Sequence, residues 1–265
     1  ATIRRQRQMC IRDSFDMIGQ SAGGVLSITG EPDGKPCKPG VTLADTGTGM
    51  LMAITILGAL YRQQATGEGE HLQLAMQDAM TQYSRLAYAY RDLNGKAAPR
   101  AGAKLFTTGN APTGIFPCKP FGKNDYVYIY TTRAGNHHWE RLCNLLGRKD
   151  LINDPRFVGQ KERADNEEAL DAILAEFTKQ YTKREAMKLI GECGVPCGAV
   201  LDVSELYDDE DLNQRGIFQN MQHPERGEYK MPAWPVKVGN AHLPVPAAPL
   251  LGCLLYTSDA ADEWL

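Results

Sequence analysis

The stretch from Leu43 to Glu70, LADTGTGMLMAITILGALYRQQATGEGE, constrains the fold more than any other. It sets one carboxylate, Asp45, among small turn-forming residues, follows it with a nearly unbroken apolar run, and closes on glycines. Met50, Ile54, Ile56, Leu57 and Leu60 recur on one broad face at helical spacing, while Gly49, Ala53, Gly58 and Ala59 permit close packing. ATGEGE supplies the stop. One strong helix opening near Asp45 is therefore expected, with its apolar face against the rest of the fold. The run Met50 to Tyr61 is itself shorter than the ~20 residues that span a bilayer.

HLQLAM then alternates like a short strand, and QDAMTQYSRLAYAYRDL has the pattern of a second helix. Helix, strand, helix suggests a layered α/β domain. From Asn94 to Gly114 the chain is rich in Gly, Pro, Ala and Thr, as a connection between domains would be. GIFPCKP and DYVYIYTT form two expected strands, followed by helices near Asn136–Leu146, Glu162–Tyr181 and Lys183–Glu192. VPCGAVLD is a further strand candidate, SELYDDEDLNQRG reads as a short helix capped by its serine, and GEYKMPAWPVKV suits a proline-interrupted edge.

Both ends have an odd relation. RRQRQMCIRDS, Arg4 to Ser14, can be encoded by a DNA whose reverse complement in another frame gives CLLYTSDAAD, Cys253 to Asp262. Antisense readings of one DNA at two termini point to a transposon-end sequencing adaptor. Residues 1–14 and 253–265 are thus expected to be artefactual tails, and Phe15 to Gly252 a fragment of a longer protein. The tails' charges cancel, so the net charge of −3 stands without them; with a pI near 6.0, it gives no reason to expect nucleic acid or an anionic membrane as partner. No signal peptide is visible, and a cytoplasmic location is expected. Cys37, Cys118, Cys143, Cys193 and Cys197 remain, an odd and scattered set that reads as reduced, mostly buried thiols. ECGVPCG is CxxxC with no histidine near it, so no metal is expected.

Hydrolase, zincin and P-loop signatures are absent, and GTGM does not complete a dinucleotide fingerprint. The adjacent His137 and His138 read as surface or capping residues, because neighbours on a helix do not face each other. Asp45 is different. A carboxylate at a helix start stays ionised, Gly47 and Gly49 allow close approach, and free amides there hold oxyanions. Carboxylates serve as covalent nucleophiles against activated carbonyls. The same field lowers the basicity of Asp45 and blunts its attack. On spacing alone, capping is the commoner role for such a residue.

SFDMIGQSAGG, ADTGTGMLMAITILGALYRQQATGEGEHLQLAMQDAM, GVPCGAVLDVSEL and APLLG, in that order, resemble the class III CoA-transferase family. That family includes formyl-CoA:oxalate and carnitine-type CoA-transferases and the related α-methylacyl-CoA racemases. The resemblance implies a Rossmann-like large domain with a smaller α+β domain, in an interlocked homodimer. Residues 15–101 would belong to the large CoA-binding domain, 102–225 to the small domain, and 226–252 to a return towards the large one. It also implies that Asp45 is the nucleophile, and that an acyl-CoA and a carboxylic acid are substrates with no permanently bound cofactor. Phe15, Gln20, Gly47, Gly49, Gly109 and Asn110 are the implied substrate or CoA contacts. Two departures matter. Oxalate enzymes of the family carry a glycine run over the active site, and TTGNAPTG has none; racemases need a His and a neighbouring acid before the nucleophile turn, and here the His position is Phe15 with no His between it and Asp45. The alternatives are a racemase of the same fold, or a CoA-binding protein in which Asp45 merely caps its helix.

Overall fold

The computed structural model describes residues 15–107, 110–132, 135–247 and 250. The expected tails lie outside these, as does Gly109. The chain divides into two compact units, Ala1–Ala199 and Val200–Leu265.

The first unit holds two apolar cores. One is built by helices α1 (Asp16–Ala22), α2 (Leu43–Thr66) and α3 (Met76–Tyr83), with a 3-10 turn at Val25–Ile28 and α4 (Arg85–Asn94) following. Val25, Ala44, Ala79 and Met80 are its buried residues. Gly19 is what lets three helices meet, since a Cβ there would lie 2.9 Å from the Met76 Cβ and 3.1 Å from the Ala44 Cβ. The helix expected at Asp45 is present, 24 residues long, and ends on Gly67 at φ 76, a left-handed position that suits glycine.

Its packing differs from expectation. Among the described residues only the first turns of α2 are covered, by α1 and α3; Ile54 and Leu57 are each 67% exposed, and Met50, Ile56 and Leu60 are exposed as well. No charge falls between Asp45 and Arg62, so the whole helix is long and apolar enough to cross a bilayer by length and composition, although Met50–Tyr61 alone falls short. HLQLAM is no strand: it runs without a ladder into α3, and a strand needs a neighbour to hydrogen-bond. The helix expected after it breaks at Ser84, where φ −82 and ψ 11 end α3 before α4 begins.

The second core lies on an antiparallel sheet of β1 (Thr113–Pro117), β2 (Tyr126–Tyr130) and β3 (Cys197–Ala199), in that order. The register pairs Thr113 with Tyr130 and Val127 with Ala199. Alternation places Val127 and Ile129 inward at 0% exposure. Against them pack α5 (His137–Leu145), α6 (Gln160–Asp165), α7 (Glu167–Thr178) and α8 (Lys183–Glu192), through Trp139, Leu142, Leu170, Leu174 and Ile190. The expected Glu162–Tyr181 helix is interrupted at Asn166. Thr182 and Glu185 form a capping box at the start of α8.

In the second unit, α9 (Val203–Tyr207) is capped by Asp202 with Glu205 closing the box, and α10 (Glu210–Gln214) is capped by Asp209. The serine expected to cap, Ser204, lies inside α9; Asp202 is better placed because its extended backbone turns its side chain onto the Glu205 N–H. β4 (Phe218–His223) and β5 (Gly227–Pro232) form a hairpin, and β6 (Lys237–Val238) pairs with β7 (Ala241–His242).

Arg163 ties the second core together. It is 2% exposed and donates to the Ala111 carbonyl (2.9 Å), the Phe157 carbonyl (2.9 Å) and Asn136 Oδ1 (3.0 Å), over the Trp139 ring. Replacing Arg163 with Met orphans two buried carbonyls and the half-buried Asn136 Oδ1. Chemical denaturation should show a loss of about 3 kcal/mol or more, whereas Lys161→Met on the exposed face of α6 should change stability by less than about 0.5 kcal/mol.

Candidate active site

An α-helix begins with unpaired N–H groups that need an acceptor. At α2 the preceding residue, Thr42, makes no side-chain cap; its φ of −83 and ψ of 65 leave the side chain to other uses. The acceptor comes from 28 residues earlier. Asp16 Oδ1 accepts from Ala44 N at 2.9 Å and lies 3.5 Å from Asp45 N. Its other oxygen accepts from Gln20 Nε2 at 2.7 Å and pairs with Lys38 Nζ at 3.4 Å. Both carboxylate oxygens are used, and Asp16 is 5% exposed. Burial alone would raise its pKa; the hydrogen bonds from Gln20, Ala44, Asp45 and Lys38 together outweigh that and hold it below the ordinary value. Asp16 is therefore a fixed negative charge at the start of α2.

This arrangement leaves Asp45 free of capping duty. It sits in the first turn of α2, exposed, and its carboxylate makes no hydrogen bond among the described residues. Gln20 is 0% exposed beneath the helix start. Its amide orientation is fixed, because Nε2 faces two acceptors, Asp16 Oδ2 and the Val41 carbonyl at 3.3 Å; Gln20 Oε1 is left buried without a partner. Phe15 precedes α1 and is 62% exposed. Asp16, Gln20 and Lys38 thus meet at the start of α2, on the amides of Ala44 and Asp45.

The two glycines after Asp45 do different things. A Cβ on Gly47 would lie 2.7 Å from Tyr83 Cε2, and Tyr83 Oη donates to the Gly47 carbonyl at 3.1 Å. The close approach at Gly47 is made by that ring. Around Gly49 a Cβ would meet open space. Asn110 is held elsewhere: its side chain donates to Tyr130 Oη (3.2 Å) and the Thr131 carbonyl (3.1 Å) in the second core, and none of its described hydrogen bonds reaches α2. It lines a cavity of about 190 Å³ with Lys104, Phe106 and Glu167.

His138 is mostly buried rather than a surface residue, and its Nδ1 accepts from Thr132 N at 3.2 Å; burial pushes its pKa down. Among the cysteines, Cys118 and Cys143 are buried thiols pushed up to about 11 and about 12, chiefly by burial, so neither is a ready thiolate. Cys37 is exposed. Asp16 and Lys38 are the residues that sequence patterning passes over. The available signal was an acid and an amide four apart, Asp16 and Gln20, on a helix just before the Asp45 turn.

The family described as "CoA-transferase family III" matches residues 8–253. A formyl-CoA:oxalate CoA-transferase of Streptomyces coelicolor (strain ATCC BAA-471 / A3(2) / M145) is 30% identical over 253 residues, covering 90% of this chain and 60% of the relative. A protein of the same name from Rhodopseudomonas palustris (strain BisB18) is 32% identical over 256 residues, covering 90% and 59%. The chain therefore spans about 60% of the length of the curated relatives it matches. Among solved structures, a CAIB/BAIF family protein from Brucella suis superposes with a TM-score of 0.74 at 28% identity, over 93% of this chain and 62% of that one. Rv3272 from Mycobacterium tuberculosis, at TM-score 0.69 and 22% identity over 88% of this chain and 61% of that one, shares the fold.

Two outcomes follow from the geometry around α2. Gly47→Ala should cost about 1–3 kcal/mol through overpacking on Tyr83, and combining it with Tyr83→Leu should recover most of that loss in thermal or chemical denaturation. For Asp16 the sign follows from its lowered pKa. Its stabilisation is fully present above the unfolded value of 3.8 and lost as pH falls through the lower folded value. The stability gap between wild type and Asp16→Asn should be flat above about pH 5 and narrow below about pH 4.

Proposed function

The chain belongs to CoA-transferase family III, and from that premise we propose that it carries the nucleophile half of an enzyme that moves CoA from an acyl-CoA to a carboxylic acid. One observation carries the reading: Asp45 stands exposed in the first turn of α2 while another carboxylate does the capping. An aspartate that merely ended its helix would spend its oxygens on backbone amides; this one has both to spare.

In the proposed relay an Asp45 oxygen attacks the thioester carbonyl of the donor. The C–S bond breaks, leaving a mixed aspartyl anhydride and CoA thiolate. The thiolate attacks the Asp45 carbonyl carbon, the anhydride C–O bond breaks, and the donor acid leaves. The acceptor carboxylate then displaces CoA from the aspartyl thioester, and the returning thiolate takes the acceptor's acyl group, restoring Asp45. Each step exchanges one activated acyl for another, so no external energy source is needed. Water must be excluded while the anhydride and thioester exist. Phe15, exposed just before α1, and Gly49, where a Cβ would meet open space, are the proposed contacts for CoA, with Gly109 and Asn110 added from the family resemblance alone. The remaining CoA contacts and a homodimer belong to the proposal for the whole protein.

The proposed acceptor is a carboxylic acid. The relatives' names favour formyl-CoA and oxalate as a specific second reading; the absence of a glycine run in TTGNAPTG weighs against it. Racemase chemistry is disfavoured because a base on each face of the α-carbon is required, and Phe15 supplies none.

Hydroxylamine trapping tests the reading. Full-length protein given acyl-CoA and then hydroxylamine should yield a hydroxamate on the peptide that contains Asp45, and Asp45→Ala should lower transfer at least ~10³-fold, the order reached when a nucleophile is removed. An unlabelled Asp45 peptide under conditions of active transfer would dispose of the relay. Donor screening with formyl-, acetyl- and succinyl-CoA against oxalate and other acids separates the two substrate readings.

A further inference from the structure

The helix that presents Asp45 raises a difficulty for its chemistry. The start of an α-helix carries roughly +0.5 of a charge, which holds a carboxylate ionised but withdraws the electron density that attack requires. A nucleophile placed there needs something to offset the field. The offset must be negative, fixed, and close to the same amides.

Asp16 meets these conditions. It is 5% exposed, and one oxygen sits on the Ala44 amide at 2.9 Å and near the Asp45 amide at 3.5 Å. It comes from a different helix and is locked by Gln20, itself wholly buried with its amide orientation fixed. We propose, on the reading of Asp45 as nucleophile, that Asp16 is a positioning residue for the transfer reaction: it fixes the first turn of α2 and cancels the helix-end field at Asp45, so that Asp45 keeps its reactivity. Asp16 touches neither substrate nor reacting atom; it acts through the backbone amides and through space.

The surrounding charges decide the balance. Lys38, from the chain between α1 and α2, is the cation that meets Asp16, on Oδ2 at 3.4 Å, away from the oxygen that holds the amides. Its side chain is 32% exposed, so solvent screens it more than Asp16. From α3, the residues against α1 are Met76, Gln77 and Met80, none of them ionisable. From α2 the groups that meet Asp16 are the backbone amides of Ala44 and Asp45. Asp16 and Lys38 are thus the two opposite charges nearest the amides of Ala44 and Asp45. A lysine that moderates rather than cancels makes a prediction of opposite sign from the same site.

The test is a pH profile of CoA transfer in full-length wild type, Asp16→Asn, Asp16→Glu and Lys38→Met, with kcat and KM for the acyl-CoA separated at each pH. Trapping at Asp45 in the wild type comes first, because its failure removes the relay and this inference with it. Given trapping, Asp16→Asn should lower kcat at least tenfold with KM within about twofold. Its acid limb should move to lower pH by roughly half a unit to one unit, the small end of what a neighbouring like charge does. Asp16→Glu should retain the wild-type limb, and Lys38→Met should move the limb to higher pH. A cap with a merely structural role would lower activity through lost folded protein and leave every limb in place. That outcome, or wild-type kcat in Asp16→Asn, overturns the inference while leaving the relay intact. Should Asp16→Asn fail to fold, Lys38→Met decides by itself: an unmoved limb overturns the inference, and a shift to higher pH supports it.

Discussion

The first core depends on one carboxylate serving a helix to which it does not belong. Unpaired amides at a buried helix start cost on the order of 1–3 kcal/mol each, and Thr42 offers α2 no side chain. Asp16 supplies the acceptor from α1, so the cap is also a tertiary contact. It fixes how α1 meets α2 at the point where Gly19 lets their backbones approach Met76 and Ala44. Local and long-range order are therefore coupled through one side chain. The same contact releases Asp45 from the role its position in the sequence suggests.

Much of the second core could be read from the sequence because its signals are local. Alternation in DYVYIYTT places Val127 and Ile129 inward, and Thr182 with Glu185 announces the start of α8 three residues apart. Arg163 stayed hidden, since its acceptors lie up to 52 residues away and nothing in its own helix marks it as buried. Similarly, the break at Asn166 interrupts a helical pattern whose apolar spacing continues across it.

Around Asp45 the sequence was less informative, for a physical reason. Helix α1 is inverted: Asp16 and Gln20 are buried, while Met17 and Ile18 are 51% and 39% exposed. A rule that puts apolar residues inside assigns that helix the wrong face, and so overlooks Asp16, while Gln20 was named only through the family resemblance. The apolar face of α2 misled in the other direction. Its periodicity promises burial, yet α1 and α3 reach only its first turns, and Ile54, Leu57 and Tyr61 remain open among the described residues. Periodicity reports which face wants cover; it does not supply the element that covers it. HLQLAM teaches the same lesson for strands, where alternation without a paired neighbour yields extended chain and no ladder.

The question left by sequence patterning was whether Asp45 is a cap or a nucleophile, and geometry changes its terms. A residue in the first helical turn cannot easily do both, because capping consumes the oxygens that attack requires. By dividing the roles, the fold gives the capping to a buried group held strongly ionised and the exposed position to a group with free oxygens. The charges then have a consistent order. A half charge from the helix end acts on Asp45, a full charge of opposite sign sits on the same amides, and a partly exposed lysine lies on the far side of that charge. Exchanging the two aspartates' surroundings would place Asp45 in the interior, bonded on both oxygens. Burial of the one acid is thus the condition for the availability of the other.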